Sequence, residues 1–402
     1  MEFIRRYKAP VAVLSVLAVL GAVFYVLQLV NGLGVTGMSN GTSWGLYIAS
    51  FMFFVGLSAG SMIVASSVSV FRIERLQATV LPAIILSLVG ICAAGMLIFF
   101  DLGGLHRVWR MLIGFNPTSP LVWDMGAITL SLVIAVLLLV FVVRGDQRKS
   151  IVVSRIALPL AILVLCVEAW IFGLDTAKEG WYTAILAPIF VASALDSGTA
   201  LLLLVLGFLK KAGIYDTPRS AFTTLAGFLC VCVAVDAFFI FCEMITTAYP
   251  GTDQGIALLT ELTAGSMAPF FWFEVICGLV IPFCILVFAK NRERVSAVNV
   301  ACMLVILGVF CKRIWLLLTS FIVPNIMGAP GIISGSSSSA HAEGTASFSV
   351  LSSYAPTFSE VLVVVGVCAL AMLGFLYLAH ILLTQYSKKE CDAGNSSANV
   401  AS

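Results

Sequence analysis

The sequence predicts an all-α integral membrane protein of ten transmembrane helices. Helices two to five and six to nine are expected to form two parallel-repeat four-helix bundles, with helices one and ten flanking them. Three observations lead there. Hydrophobic residues make up 61% of the 402 residues, charged residues only 10%, and the mean hydropathy is +1.09, whereas about a quarter of a soluble globular chain is charged. Ten apolar runs approach or exceed the roughly 20 residues that cross a bilayer. Finally, segments of the first half recur in order in the second. A net charge of +2 carries no message about nucleic acid, because in such a chain the placement of charges matters and their sum does not. All cysteines but Cys391 fall inside apolar segments, so neither a disulfide framework nor a loop cluster of iron–sulfur ligands is visible. Cys230 and Cys232 read as small core residues.

The runs lie at about 10–30, 45–70, 79–100, 121–143, 151–173, 183–209, 221–248, 263–289, 296–323 and 358–383. The first follows Arg5, Arg6 and Lys8 as a signal peptide would, but it is longer than such an apolar region and lacks a small-x-small cleavage site, so it is expected to remain. The second opens with W-G-L-Y-I-A-S-F-M-F-F-V-G-L-S-A-G, Trp44 to Gly60. Its aromatics suit the water boundary, and Gly56 and Gly60 let another helix approach closely. An outer segment, Asp101 to Pro120, holds D-L-G-G-L-H-R-V-W-R and N-P-T-S-P; another, Pro324 to Pro356, is rich in Gly, Ser and Ala and reads as a flap or partner-contact loop. The organisation is therefore 1–43, first helix and outer loop; 44–180, first bundle; 181–323, second bundle; 324–357, outer loop; 358–387, last helix; and 388–402, tail.

Basic residues set the orientation. On the side of the N-terminus lie Arg5, Arg6, Lys8, Arg72, Arg75, Arg144, Arg148, Lys149, Arg155, Lys210, Lys211, Arg219, Lys290, Arg292, Arg294, Lys388 and Lys389, against Arg107, Arg110 and Lys178 opposite. The positive-inside rule makes both termini cytoplasmic.

Four pairs of segments suggest the duplication. Gly56-Leu57-Ser58-Ala59-Gly60-Ser61 aligns with Ala194-Leu195-Asp196-Ser197-Gly198-Thr199, and Phe99-Phe100-Asp101 with Phe241-Cys242-Glu243. Pro120-Leu121-Val122-Trp123-Asp124 aligns with Pro269-Phe270-Phe271-Trp272 followed, one residue later, by Glu274. Cys166-Val167-Glu168-Ala169-Trp170 aligns with Cys311-Lys312-Arg313-Ile314-Trp315. Because paired helices run the same way, the repeat is expected to be parallel, about an axis along the membrane normal.

Ionisable groups within a span are functional candidates because each costs a few kcal/mol or more near the bilayer centre. Asp101, Asp124, Glu168, Glu243, Glu274 and Glu360 lie toward the outer ends of their spans, Asp196 and Asp236 nearer the middle, and Lys312 and Arg313 need anionic partners. Asp101 and Glu360 read equally well as helix-end caps, and Glu168 with Arg313 as a structural ion pair. Asp124, favoured by the helix dipole, is expected to form a polar site with His106, Arg107 and Arg110 of the preceding loop. Glu168, Asp196, Asp236, Glu243, Glu274 and Arg313 form a candidate proton path. The three histidines, His106, His341 and His380, are too scattered to hold a haem between two imidazoles. No phosphate-binding loop, zinc motif or nucleophile elbow occurs, and no metal site is expected.

The stretch Trp44 to Gly60 together with N-P-T-S-P-L-V-W-D, Asn116 to Asp124, resembles the NrfD/PsrC family, the membrane subunits of polysulfide-reductase-type respiratory complexes. The ten-helix count is similar to the longer branch of that family. The resemblance implies a haem-free subunit of a prokaryotic cytoplasmic membrane that binds menaquinone or ubiquinone near the outer face. It exchanges electrons with a docked ferredoxin-like iron–sulfur subunit, which serves a molybdopterin or cytochrome catalytic subunit. Carried over, Trp44, Tyr47, Ser58, Pro120, Trp123 and Asp124 would line or shape the quinone pocket, with Asp101 beside them. Several relatives carry histidine where Ser58 stands, so here another group must bond the quinone oxygen. Asp124 and His106 would then handle protons while Arg110 orients the head group or meets the partner, and the segments Asp101 to Pro120 and Pro324 to Pro356 would form the docking surface. A secondary transporter with parallel repeats is the rival class, predicting broken helices and a central cavity. A purely structural anchor is the third.

Overall fold

The computed structural model describes residues 8–39, 41–323 and 354–400. Arg5, Arg6, His341 and most of the segment 324–356 lie outside the described residues. Among the described residues ten helices are long and apolar enough to cross a membrane, as the apolar runs predict. They are α1 (Lys8–Asn31), α2 (Leu46–Val70), α3 (Val80–Asp101), α4 (Pro120–Arg144), α5 (Gln147–Gly173), α6 (Leu186–Lys211), α7 (Arg219–Ala248), α8 (Ala268–Leu286), α9 (Val295–Ile322) and α10 (Phe358–Val400). The run expected at 263–289 is shorter than predicted. A separate outer helix, Asp253–Ala264, precedes it, started by Thr252 Oγ1, which accepts from Gly255 N at 3.0 Å, and ended at Gly265.

Local chemistry sets the ends. Pro120 occupies the first turn of α4, where its missing N–H costs nothing. The helix stops at Gly145 with φ +81°, whose N–H and that of Asp146 bond back to Val142 O and Phe141 O. Asp146 then caps α5 by accepting from Lys149 N at 3.1 Å, and its exposed carboxylate is held below its usual pKa by Lys149. Within α8 the residues Phe273–Val280 form a π-helical stretch between two α-helical segments.

α2 is the axis of the molecule: 21 of its 25 residues are buried, as expected of a helix apolar on all sides. α6 crosses it where a Cβ placed on Gly198 would lie 2.7 Å from Gly60 C, so these glycines permit backbone contact. A second such crossing joins α1 and α10, where a Cβ on Gly366 would lie 2.7 Å from Gly21 Cα. Neighbour relations recur between the halves. α2 packs on α3 and α5, α3 on α4, and α4 on α5, while α6 packs on α7 and α9, α7 on α8, and α8 on α9. Between halves, α5 touches α6 as α9 touches α2. The pair α1 and α10 lies against α3. The termini of the spans define a basic face, carrying Arg144, Lys149, Lys210, Lys211 and Arg292, and an opposite face, where α1 ends and α2 begins.

Candidate functional site

Buried polar side chains gather in three places. The first is near the ends of α1, α2, α3 and α10 at the face opposite the basic one. Tyr47, the second residue of α2, is fully buried and donates its hydroxyl to Gln28 Oε1 at 2.6 Å. Gln28 in turn donates Nε2 to Phe100 O at 2.8 Å. Asp101 and Glu360 are the charged neighbours of Tyr47, and Asp101 Oδ1 is buried without a donor. Glu360 is fully engaged: Gly37 N, Thr357 N and the Tyr354 hydroxyl donate to it at 2.9, 2.8 and 2.9 Å. Glu360 N donates back to Thr357 Oγ1 at 3.3 Å, closing a capping box that starts α10. Leu46 N donates to the Tyr354 hydroxyl at 2.7 Å, and burial beside Glu360 pushes that phenol's pKa up.

The second group lies between the bundles. Arg313 of α9 is fully buried, its guanidinium 4.0 Å from the centroid of Phe190 and its Nη2 donating to Ser193 Oγ at 3.0 Å. Its Nε and Nη1 have no partner, nor has either oxygen of fully buried Glu168 on α5. Arg313 and Asp124 are the charged neighbours of Glu168, yet no ion-pair contact joins them among the described residues. Toward the non-basic face this group is covered by Trp44, Phe172, Trp181 and Phe321, whose rings meet at 5.1 to 6.3 Å. Trp181 Nε1 donates to Leu316 O and Lys178 Nζ to Ser320 O, each at 2.9 Å, and burial lowers the pKa of Lys178.

The third group fills the second bundle. Lys312 Nζ stands 2.5 Å from Asp236 Oδ2 and 2.8 Å from Glu274 Oε1, all three side chains at most 1% exposed. Trp315 Nε1 donates to Glu274 Oε2 at 2.5 Å. Asp196 of α6, also fully buried, faces Asp236 and Lys312, and neither of its oxygens has a donor. Three carboxyls thus gather around one ammonium, with Arg313 as the other cationic neighbour of Asp236 and Glu274.

Not all residues expected to act together meet. Tyr47 and Asp101 do, but Trp44 belongs to the aromatic layer between the bundles. Ser58 is about 16 Å further along α2 at 1.5 Å per residue and donates to Ser87 O at 2.7 Å. Trp123 is 40% exposed and donates to Pro117 O. No bond joins Asp124 to His106 or Arg110: Asp124 faces inward toward Glu168, while exposed His106 accepts from Arg107 Nε at 3.0 Å and Arg110 lies 5.5 Å from the Trp109 ring. The reason is depth, since Asp124 is already within the first turns of α4 and the loop folds outside it. Of the candidate proton path, Asp196, Asp236 and Glu274 converge, Glu168 faces Arg313, and Glu243 stands apart, accepting from Thr183 Oγ1 at 3.1 Å. Two participants had no assigned role: Lys312, the hub of the third group, and Gln28, whose signal is an amide inside the first apolar run. Among the described residues no group of His, Cys, Asp and Glu has metal-ligand composition.

The model of the polysulphide reductase NrfD family matches residues 34–325. A Halobacterium salinarum protein provisionally named as a membrane subunit of dimethyl sulfoxide reductase is 30% identical over 91% of this chain and 90% of its own length. A subunit of the selenate reductase of Mesobacillus selenatarsenatis is 24% identical over 79% and 83%. The Hdr-like menaquinol oxidoreductase integral membrane subunit of Archaeoglobus fulgidus is 27% identical over 92% of each chain.

Proposed function

The chain belongs to the polysulphide reductase NrfD family, and from that premise we propose that it is the quinone-binding membrane subunit of a respiratory reductase complex. Its relatives are named as subunits of such enzymes, and one as part of a menaquinol oxidoreductase. We place menaquinone or ubiquinone at the first polar group, against Tyr47, Gln28 and Asp101. The observation that carries this is Asp101 Oδ1, a buried acceptor with no donor, next to a buried phenol and amide at one membrane boundary. A quinol hydroxyl is the donor that such an oxygen lacks. Oxidation of a quinol releases two electrons and two protons. Asp101 takes one proton from a ring oxygen and the second is released to water on the outer side, Tyr47 and Gln28 fix the ring's orientation, and both electrons pass to the cluster of an iron–sulfur subunit docked outside. A molybdopterin or cytochrome subunit lies beyond it. Exposed Trp109, Ile113 and Phe115, with Arg107 and Arg110, belong to the first part of the docking surface; of the other part expected, 324–356, residues 324–353 lie outside the described residues. The basic face is cytoplasmic in this reading, which puts quinol chemistry on the outer side of a prokaryotic cytoplasmic membrane.

The test is quinol turnover by the assembled complex. Asp101→Asn is expected to lower kcat by about 10²–10⁴-fold, the usual worth of a positioned general base, while the complex still assembles. Unchanged turnover in the assembled variant overturns the assignment of Asp101.

The second bundle supports an added role in proton translocation. Asp196, Asp236, Glu274 and Lys312 form a relay at mid-membrane, and Glu168 with Arg313 lies between it and Asp124. The transporter alternative has less support: α8 winds continuously through its π stretch, and a cavity of about 430 Å³ between the flanking helices and the bundles is lined by apolar side chains.

A further inference from the structure

A groove of about 430 Å³ separates the flanking helices α1 and α10 from α2, α3, α6 and α9, a size within the roughly 300–1,000 Å³ of ligand sites. Its far end is at Phe53 and Phe54, about a third of the way along α2, and it runs to Pro10 at the start of α1 and Phe208 near the end of α6. Most of it therefore lies in the half of the membrane next to the basic face, where it opens. Its lining has no hydroxyl, amide, imidazole or charged group; Cys368 contributes the one thiol. A ring oxygen or a sugar would find nothing to bond there, so the space suits a hydrocarbon chain.

The mouth is charged with one sign. On α6 the groove-lining positions Leu204 and Phe208 continue three residues on to Lys211, on the same helix face. Lys8 lies two residues before Pro10 on α1, and both lysines are exposed. Lys210 is engaged with Asp216 at 2.9 Å, whereas Lys211 and Lys8 make no ion pair among the described residues. We propose that the groove holds one acyl chain of an anionic glycerophospholipid from the basic-side leaflet, with its phosphate over Lys211 and Lys8. The lipid fills an apolar gap between the flanking pair and the bundles, and the lysines select its head group.

Native mass spectrometry of the full chain, partly stripped of lipid in detergent and then offered phosphatidylglycerol or phosphatidylcholine, tests this. One phosphatidylglycerol per chain should be retained in preference to phosphatidylcholine. Leu204→Trp on α6 and Leu14→Trp on α1 fill the groove from opposite walls, and each should abolish retention while the helical circular dichroism persists. Lys211→Gln, at an exposed position without an ion pair among the described residues, should lower the preference for phosphatidylglycerol about fivefold and leave phosphatidylcholine binding unchanged. Retention undiminished in a folded Trp variant, an isoprenoid quinone as the retained molecule, or equal affinity for the two lipids would each overturn the proposal.

Discussion

Lys312 shows how one side chain can organise a bundle. Its ammonium sits between Asp236 and Glu274 with no access to water, and Trp315 ties down the far oxygen of Glu274. Removing one partner of such a pair leaves an uncompensated buried charge, at a cost of about 3–5 kcal/mol. Lys312→Met is therefore expected to lower the melting temperature sharply, followed by tryptophan fluorescence in detergent, and Lys312→Met with Asp236→Leu to recover part of the loss. A double variant no better than the single would refute the pairing as the cause. The sequence shows that Lys312 needs an anion, but not which one, because Asp236 is 76 residues away and only the relative rotation of α7 and α9 brings them together. Glu360 was more legible. Thr357-Phe358-Ser359-Glu360 is a local capping pattern, and the box forms as that pattern dictates. Asp124 was misjudged in its company for the opposite reason: adjacency to His106 and Arg110 along the chain says nothing about which way a residue inside a helix turns.

At the level of elements, the π-helical stretch of α8 gives a physical meaning to a slip in the alignment. The first half reads Pro120 to Trp123 and then Asp124; the second reads Pro269 to Trp272, then Phe273, then Glu274. A π turn absorbs one extra residue without breaking the helix, whereas in a regular α-helix the addition would rotate Glu274 by about 100° away from Lys312. We read α2 to α5 and α6 to α9 as copies, supported by the recurring neighbour relations and by the crossing of Gly60 on its aligned partner Gly198. Deleting Phe273 should then be tolerated, with near-normal membrane levels and melting, because it converts the π stretch to plain α-helix. Deleting Ile306 from α9, which has no wide turn to take up the change, should prevent folding. Equal damage from the two deletions would count against the reading. The spans themselves were legible because twenty apolar residues have few other uses. The π turn was not, since periodicity is silent about a single added residue.

For the whole molecule, charge sorting and fold agree: the described loops on one face carry nearly all the lysine and arginine. A fluorescent protein fused to the C-terminus should therefore fluoresce, and alkaline phosphatase fused after Asp253 should be active; the reverse pattern would invert the topology. Ten spans, the basic face and the crowding of acids in the second bundle were all readable from composition and order. The convergence of α1, α2, α3 and α10 on Tyr47 was not, because Gln28 and Glu360 come from opposite ends of the chain. The depth of the carboxyl cluster has a further consequence. Asp196 is ten residues into α6 from Leu186, about 15 Å at 1.5 Å per residue, half of a roughly 30 Å hydrocarbon core. A proton reaching it from the non-basic face has crossed about half of the electric field, a work on the order of 1 kcal/mol per 100 mV. In the proposed relay the cluster divides the membrane voltage into two steps, so the energised state of the membrane would set how readily it fills from one side and empties to the other.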